Sequence, residues 1–408
     1  MPAFTVIHTA DWHLGVRLRE LDRLAEHEAF LAWLTEAVER EEADLLVIAG
    51  DVFDSANPPE SARRMWYDFL DGLHRRCPHC AVIAVAGNHD SPHVLESAAA
   101  LLSGIGVHIV GELQEDPAHC LRVFPDKSGA PALAVAAVPF LRDRDLRRGG
   151  DDATATDIQS QLREGIRGRY AAVEGLAQTW KAQGCGLLAT GHLTVTGSSL
   201  SESERDIHVG NLGSVSSETF GSLFDYVALG HLHRPQRAGS VARYSGSPIA
   251  LSFSEWRDVK EITVLKFENG VLTDCRGLPV PCTRPLLRLT TSAEMLELDL
   301  ASLAPPSTPH PAWLEITVAA SAEPVPLLSE RIQKALAGRS IEAIALRRAG
   351  SHPDIAAESA ASIHELQPTE VFEAVLEDSV IPDAERDPLR LVFAQLQERH
   401  HEQEAAAS

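Results

Sequence analysis

The chain has 408 residues, more than one typical domain, and its 44% hydrophobic content supplies core for a large domain plus one or two small ones. A formal net charge of -22 counts against a protein that grips nucleic acid by its own surface, because such binding rests on a basic footprint. No run of about 18 apolar residues occurs, and Met1-Pro2-Ala3-Phe4 leads straight into a strand-like run, so a cytoplasmic protein without a membrane span is expected.

In chain order, FTVIHTADWH is an apolar run closing on Asp11 and His13. Residues 19 to 43 then place Leu21, Leu24, Leu31, Leu34 and Val38 at helical spacing, predicting a helix that leads to the second run, LLVIAGDVFD, which ends on Asp51. After the Asn57-Pro58-Pro59 turn a helix is expected from about Pro59 to Arg75. The run VIAVAGNHD closes on Asn88 and His89, and another helix is expected from about Asp157 to Gln183. LLATGH closes on His192 and YVALGHLH on His231 and His233. Strands alternating with helices predict an α/β layered core, and runs this rich in Val, Ile and Leu read as strands buried on both faces.

Beyond His233, ARYSGS, EITVLKF and LLRLT read as strands of an antiparallel or mixed sheet. A small second domain is expected from about Pro281 to Arg348: strand, a long loop through the proline-rich 302–311 stretch, strand, helix (Pro326 to Leu336) and strand (Ile341 to Leu346). From Leu366 onward the pattern is helical, with Val371, Phe372, Val375 and Leu376, then Leu389, Leu391, Val392 and Leu396, between charges. The expected division is 1–280, 281–350 and 351–408.

Six cysteines are too few for a disulfide framework, and Cys77-Pro78-His79-Cys80 is a lone C-x-x-C read as structural. The basic residues include only five lysines; Arg142, Arg144, Arg147 and Arg148 form one local cluster, read as a solvated loop or a phosphate contact.

The five runs share one property: each ends in metal-ligand residue types, where the carboxyl ends of strands assemble sites. Asp11, His13, Asp51, Asn88, His192, His231 and His233 are seven candidate ligands, too many for one ion. Carboxylates mixed with imidazoles suit borderline divalent ions such as Mn²⁺, Fe²⁺ or Zn²⁺, and the absence of cysteine argues against a structural zinc. Two ions sharing a carboxylate, about 3.5–4 Å apart, are a device for in-line phosphoryl displacement.

D-x-H, G-D-x-x-D, G-N-H-D, G-H and G-H-x-H, in this order, resemble the metallophosphoesterase (calcineurin-like) superfamily over roughly residues 4 to 265. The resemblance implies a layered α/β/β/α sandwich. It also implies that Asp11, His13 and His233 hold one metal, Asn88, His192 and His231 the other, and that Asp51 bridges. His89 would act on the phosphate, with Asp54 orienting its imidazole or capping a turn, and Asp90 is read as a cap for the segment that follows. Ser/Thr phosphatases carry G-N-H-E where the chain has Gly87-Asn88-His89-Asp90, which disfavours that branch.

HTADWHLG (8–15), GDVFDSANPP (50–59), GNHDSP (87–92), GHLTVTG (191–197), ALGHLHRPQ (228–236), RYSGSPIALSFSE (243–255) and LQPTEVFEAVLE (366–377) are similar to the SbcD family, nuclease subunits of bacterial SbcCD complexes. That likeness implies a Mn²⁺-dependent DNA nuclease, exonuclease on double strands and endonuclease on single strands and hairpins, with the SbcC ATPase as partner, two copies of each. The small domain would cap DNA and the C-terminal helices would bind SbcC. The chain has no G-x-x-x-x-G-K-[ST] loop, so ATP dependence would come from the partner. The alternative expectation is a stand-alone phosphodiesterase acting on small nucleotides.

Overall fold

The computed structural model describes residues 3–146, 155–199, 214–304, 306–319 and 323–348, with 369, 372–373, 376 and 386–397 beyond them. Two six-stranded sheets form the main body. The first takes β1 (Phe4–Thr9), β2 (Leu45–Ala49), β3 (Ala81–Val85) and β4 (Val107–Val110), all parallel. The second takes β5 (Leu121–Pro125), β6 (Pro131–Ala136), β7 (Gly186–His192), β8 (Tyr226–Gly230), β9 (Gln236–Ala238) and β10 (Ala242–Tyr244). The chain then returns to the first sheet, where β11 (Glu261–Glu268) lies antiparallel to β1 and β12 (Val271–Pro279) closes the edge. The orders are β12-β11-β1-β2-β3-β4 and β9-β10-β8-β7-β6-β5.

The alternation of side chains along each strand explains why both sheets need apolar residues at consecutive positions. Phe4, Val6, Leu45, Val47, Ile83, Val85 and Phe267 pack with Leu133, Val135, Leu188 and Tyr226 in the layer between the sheets. The intervening Ile7, Leu46, Ile48 and Val82 face the outer helices α1 (Leu24–Arg40) and α2 (Glu60–Arg76). On the opposite side, α3 (Ala155–Ala182) sets Leu162, Ile166, Tyr170, Val173 and Ala177 at helical spacing over Leu187, Ala189 and Leu229. The result is the expected α/β/β/α layering.

The helix expected from residue 19 begins only at Leu24. Arg17–Leu18 and Leu21–Asp22 pair as a short antiparallel hairpin, which leaves Leu21 exposed rather than on the buried helix face. The run ARYSGS forms β10, parallel to β8, so the second sheet is mixed.

A separate three-stranded sheet follows: β13 (Leu286–Thr291), β14 (Ala312–Val318) and β15 (Ile341–Arg348), all parallel with β14 central. One face packs on α4 (Leu296–Ser302) and α5 (Val325–Leu336) through Leu314, Ile316, Leu328 and Ile332. The short α4 is an addition to the expected order, and it supplies the crossover that parallel strands require. The other face sets Leu286 and Trp313 against Phe253 of the main body.

Residues 386–397 are helical, and Phe393 stacks on Phe372 with ring centroids 4.0 Å apart. Most of the expected C-terminal helical segment, including Val371 and Val375, lies outside the described residues, as do Arg147 and Arg148. Among the described residues no helix is long and apolar enough to cross a membrane. Cys77 and Cys80 are both buried free thiols, and burial pushes both up.

Trp66 is the keystone of the layer under α2, with its ring edge-on to Trp12 and Phe53 and stacked on Phe69. Trp66→Ala is expected to destabilise the main body by about 3–5 kcal/mol, the range for deleting a buried aromatic, read as a lower midpoint in guanidinium unfolding.

Candidate metal centre

All seven candidate ligands, and His89, follow the carboxyl ends of β1, β2, β3, β7 and β8 or close the strand itself. Backbone pairing sets their spacing. Asp11 N–H donates to Gly50 O and His13 N–H to Asp51 O, each at 3.0 Å, so the loops after β1 and β2 run side by side. In the second sheet the register sets Gly230 opposite His192, which brings His231 one residue beyond it. Asp11, His13, Asp51 and His231 all have positive φ, at 54°, 47°, 50° and 96°. Such backbone costs about 1–3 kcal/mol per residue and persists only where surroundings enforce it. Gly50, at φ +94°, is required for a second reason: a Cβ there would lie 2.1 Å from His192 Nδ1.

His192, His13 and His233 are each aimed by a bond at Nδ1 that leaves Nε2 for the centre. His192 Nδ1–H donates to Ala49 O at 3.0 Å, and its Nε2 lies 2.9 Å from Asn88 Oδ1 and 3.1 Å from Asp51 Oδ2. His13 Nδ1 bonds Asp54 Oδ1 at 3.0 Å, which turns Nε2 toward Asp51 Oδ2, 3.6 Å away. His233 Nδ1 bonds Glu255 Oε1 at 3.3 Å. His231 Nδ1 lies 3.1 Å from Asn88 Oδ1, and His231 N–H donates to Asp11 Oδ1 across the sheets at 2.8 Å. Asp51 sits in the middle: ligand atoms of Asp11, Asp51 and His192 all fall within 4.8 Å of one another.

Two buried atoms in this cluster, Asp11 Oδ2 and His13 Nε2, have no hydrogen-bond partner. A buried carboxylate oxygen and a buried imidazole nitrogen without protein partners are costly unless a cation uses them. Together with the aimed rings, these atoms fit a site for divalent metal with oxygen and nitrogen donors.

His89 is half-buried beside His13, ring centroids 4.8 Å apart. Its Nδ1 donates to the main-chain carbonyl of Asp54 at 2.8 Å. The expectation that the Asp54 side chain orients His89 is therefore corrected: the carboxylate bonds His13, and it is the Asp54 main-chain carbonyl that accepts from the His89 ring. Asp90 also departs from the reading as a cap. Its buried carboxylate accepts from Val52 N, Phe53 N and Gly87 N at 3.1, 2.9 and 2.9 Å, stapling the loop that carries Asp51 to the loop that carries Asn88. The helix cap there is Ser91, which accepts from Val94 N. Glu255 has no counterpart among the predicted residues. It is buried between His233 and Lys260 Nζ, which donates to it at 2.6 Å. Of the arginine cluster, Arg142 is half-buried and donates from Nη2 to Asp90 O at 3.4 Å.

Electrostatically the centre is tightly balanced. Burial pushes Asp11 up to about 7, and repulsion from Asp51 works against the pull of His192 and His233. Burial would raise Asp51 too, but His192, His89 and His13 hold it well below the ordinary carboxylate range. Burial would lower His192, yet Asp51 and Asp11 push it up to about 9. Burial would raise Glu255, and Lys260 and His233 hold it far below its ordinary value.

This layering and donor set define a calcineurin-like phosphoesterase, and residues 4–235 match the family model of that description. Residues 282–380 match the model described as the Type 5 capsule protein repressor C-terminal domain. The chain is 31% identical to the SbcD component of the SbcCD nuclease of Escherichia coli strain K12 over 395 residues, 95% of this chain and 96% of that one. It is 36% identical to the Rhodobacter capsulatus counterpart over 382 residues, covering 89% and 91%, and 34% identical to that of Bacillus subtilis over 287 residues, covering 69% and 71%. The chain belongs to the SbcD family.

Metal binding must strip protons from this centre. A proton on His192, raised to about 9, or on Asp11, raised to about 7, occupies a lone pair that a cation needs. Metal affinity is therefore expected to rise with pH from about 7 to about 9 as those protons leave. Calorimetric titration with Mn²⁺ at about pH 7.5 in two buffers of different ionisation heat checks this; equal heats would mean that no proton is released.

Proposed function

We propose that the chain is a metal-dependent DNA nuclease, the subunit that hydrolyses phosphodiesters in a complex with an SbcC-type ATPase, acting at DNA ends and hairpins. The observation that carries the reading is the convergence of carboxylate, amide and imidazole donors from two sheets on Asp51, in a chain related over almost its whole length to SbcCD nuclease subunits. Mn²⁺ is the proposed ion, since mixed oxygen and imidazole donors without sulfur suit it. Exonuclease action on double strands and endonuclease action on single strands and hairpins are part of the same proposal. So are the division into 1–280, 281–350 and 351–408, the DNA-capping role of the small sheet, and the docking of the C-terminal helices on the partner.

Asp11, His13 and His233 are assigned to one ion, Asn88, His192 and His231 to the other, and Asp51 to both. Two cations held by these residues would supply Lewis acidity and positive charge for phosphodiester hydrolysis. The chain's own contribution is position and proton control. The Ala49 and Asp54 contacts fix which nitrogen of each ring is presented, so the donors need no reorganisation. His89 carries its proton on Nδ1, because the Asp54 carbonyl accepts only from N–H. Its Nε2 then faces the phosphate, and a proton taken up there from water, making the ring an imidazolium, is the one passed to the leaving oxygen. Asp90 keeps that imidazole at a fixed distance from Asp51 by joining their loops.

Purified protein with Mn²⁺ is expected to cleave hairpin DNA as well as bis-p-nitrophenyl phosphate. Hydrolysis of the small ester alone, even with the ATPase partner added, would favour a small-nucleotide phosphodiesterase and sink the nuclease reading.

His89→Ala is expected to retain two equivalents of Mn²⁺ and lose about 10²–10⁴-fold in cleavage rate, the range for removing a positioned acid. Asp51→Ala should weaken both metal sites. Loss of bound Mn²⁺ from the His89 variant would overturn the division of roles.

A further inference from the structure

His233 is held through both its side chain and its main chain. Its side chain meets the buried Glu255 carboxylate, and its carbonyl accepts from Lys260 Nζ at 2.9 Å and from Ser247 N at 3.1 Å. Lys260 also donates to Ser247 Oγ at 2.9 Å, and Glu255 Oε2 accepts from Leu251 N at 3.2 Å, so the whole 247–260 segment closes around one charge pair.

The same segment is the joint to the small parallel sheet. Phe253 and Glu255 belong to a single 3₁₀ turn, Phe253–Glu255, and meet different neighbours. Phe253 is buried against Leu286 of β13 and Trp313 of β14, while Glu255 points back at His233. A second tether runs through Arg23, whose Nη1 donates to Ala250 O at 2.8 Å and whose Nε meets Glu26 Oε1. Arg284 meets the same Glu26 oxygen at 2.8 Å, and both guanidiniums lie over the Trp313 ring, at 5.3 and 4.4 Å. No residue of the small sheet needs to touch the centre for its docking to be felt there.

We propose that Glu255 is a positioning residue that ties the orientation of His233 to the docking of the small sheet, through the turn it shares with Phe253. The inference rests on the assignment of His233 as a metal ligand. Displacing β13 and β14 moves Phe253, and the rigid turn carries Glu255 with it. The expected consequence is confined to the ion that His233 binds, because His192 is aimed by Ala49 and His231 meets Asn88, neither of which belongs to this turn.

Mn²⁺ titration of the full chain, by calorimetry and by the EPR signal of free Mn²⁺, tests this with four variants. His233→Ala should lose one of two sites; two intact sites would refute the ligand assignment itself. Glu255→Gln/Lys260→Met removes the charge pair without leaving a buried ammonium unpaired. It should weaken one site by about 10–100-fold, the usual effect of removing a ligand's supporting partner, and leave the other unchanged. Glu255→Asp should recover part of that loss. Leu286→Ala, in the small sheet, should weaken the same site by a smaller factor while circular dichroism stays native. If His233→Ala loses a site but the folded double variant binds as the parent does, the positioning role is wrong. If the folded Leu286→Ala protein binds as the parent does, the tie to the small sheet is wrong.

Discussion

The carboxylate of Asp51 is the point on which the two sheets agree. It comes from the loop after β2, accepts from the His89 backbone through Oδ1, and meets His192 of the opposite sheet through Oδ2. A buried carboxylate without compensation would shift its protonation or disrupt the fold. Here the compensation is supplied from both sheets, so the sandwich must close in one register for the charge to be tolerated. Strained backbone at Asp11, His13, Asp51 and His231 belongs to the same constraint. The fold accepts unfavourable φ angles at four positions because no relaxed backbone would point those side chains into a single gap.

The strand ends were legible in the sequence for a physical reason. Burial on both faces demands unbroken apolar runs, and a polar metal-ligand type directly after such a run has little reason to be there unless it serves a site. Residues whose work depends on contacts across the chain were not legible. Asp54 is close to both His13 and His89, and spacing alone does not decide which one its carboxylate takes. Asp90 looks like a turn residue and instead binds three amide groups, two of them 37 and 38 positions away. Glu255 lies 22 residues past His233, in a serine-rich stretch with no local pattern of its own. The runs also hold a decoy, since His8 is a histidine of the first run that bonds the Tyr226 hydroxyl between the sheets and faces no ligand.

The formal charge of -22 suits one half of the proposed chemistry and opposes the other. A negative field concentrates divalent cations near a centre built from carboxylates and imidazoles, and the same field repels a polyanion. Many arginines spend their charge internally: Arg288, Arg347 and Arg19 all surround the buried Glu315, and Arg23 and Arg284 share Glu26. On the proposed reading, the grip on DNA therefore falls largely to the partner chain, which would make cutting contingent on assembly.

The bond from His231 N–H to Asp11 Oδ1 spans 220 positions of sequence, and His233 lies two positions further. Residues this far apart reach one another only after the second sheet has been made. At roughly 5–20 residues per second, a growing chain carries Asp11, Asp51 and His89 for many seconds before the last imidazoles emerge from the ribosome. A copy made only as far as residue 185 has the acids of the centre and none of the second sheet's imidazoles. The centre thus has no complete set of donors until the chain has been made past His233, more than half of its 408 residues.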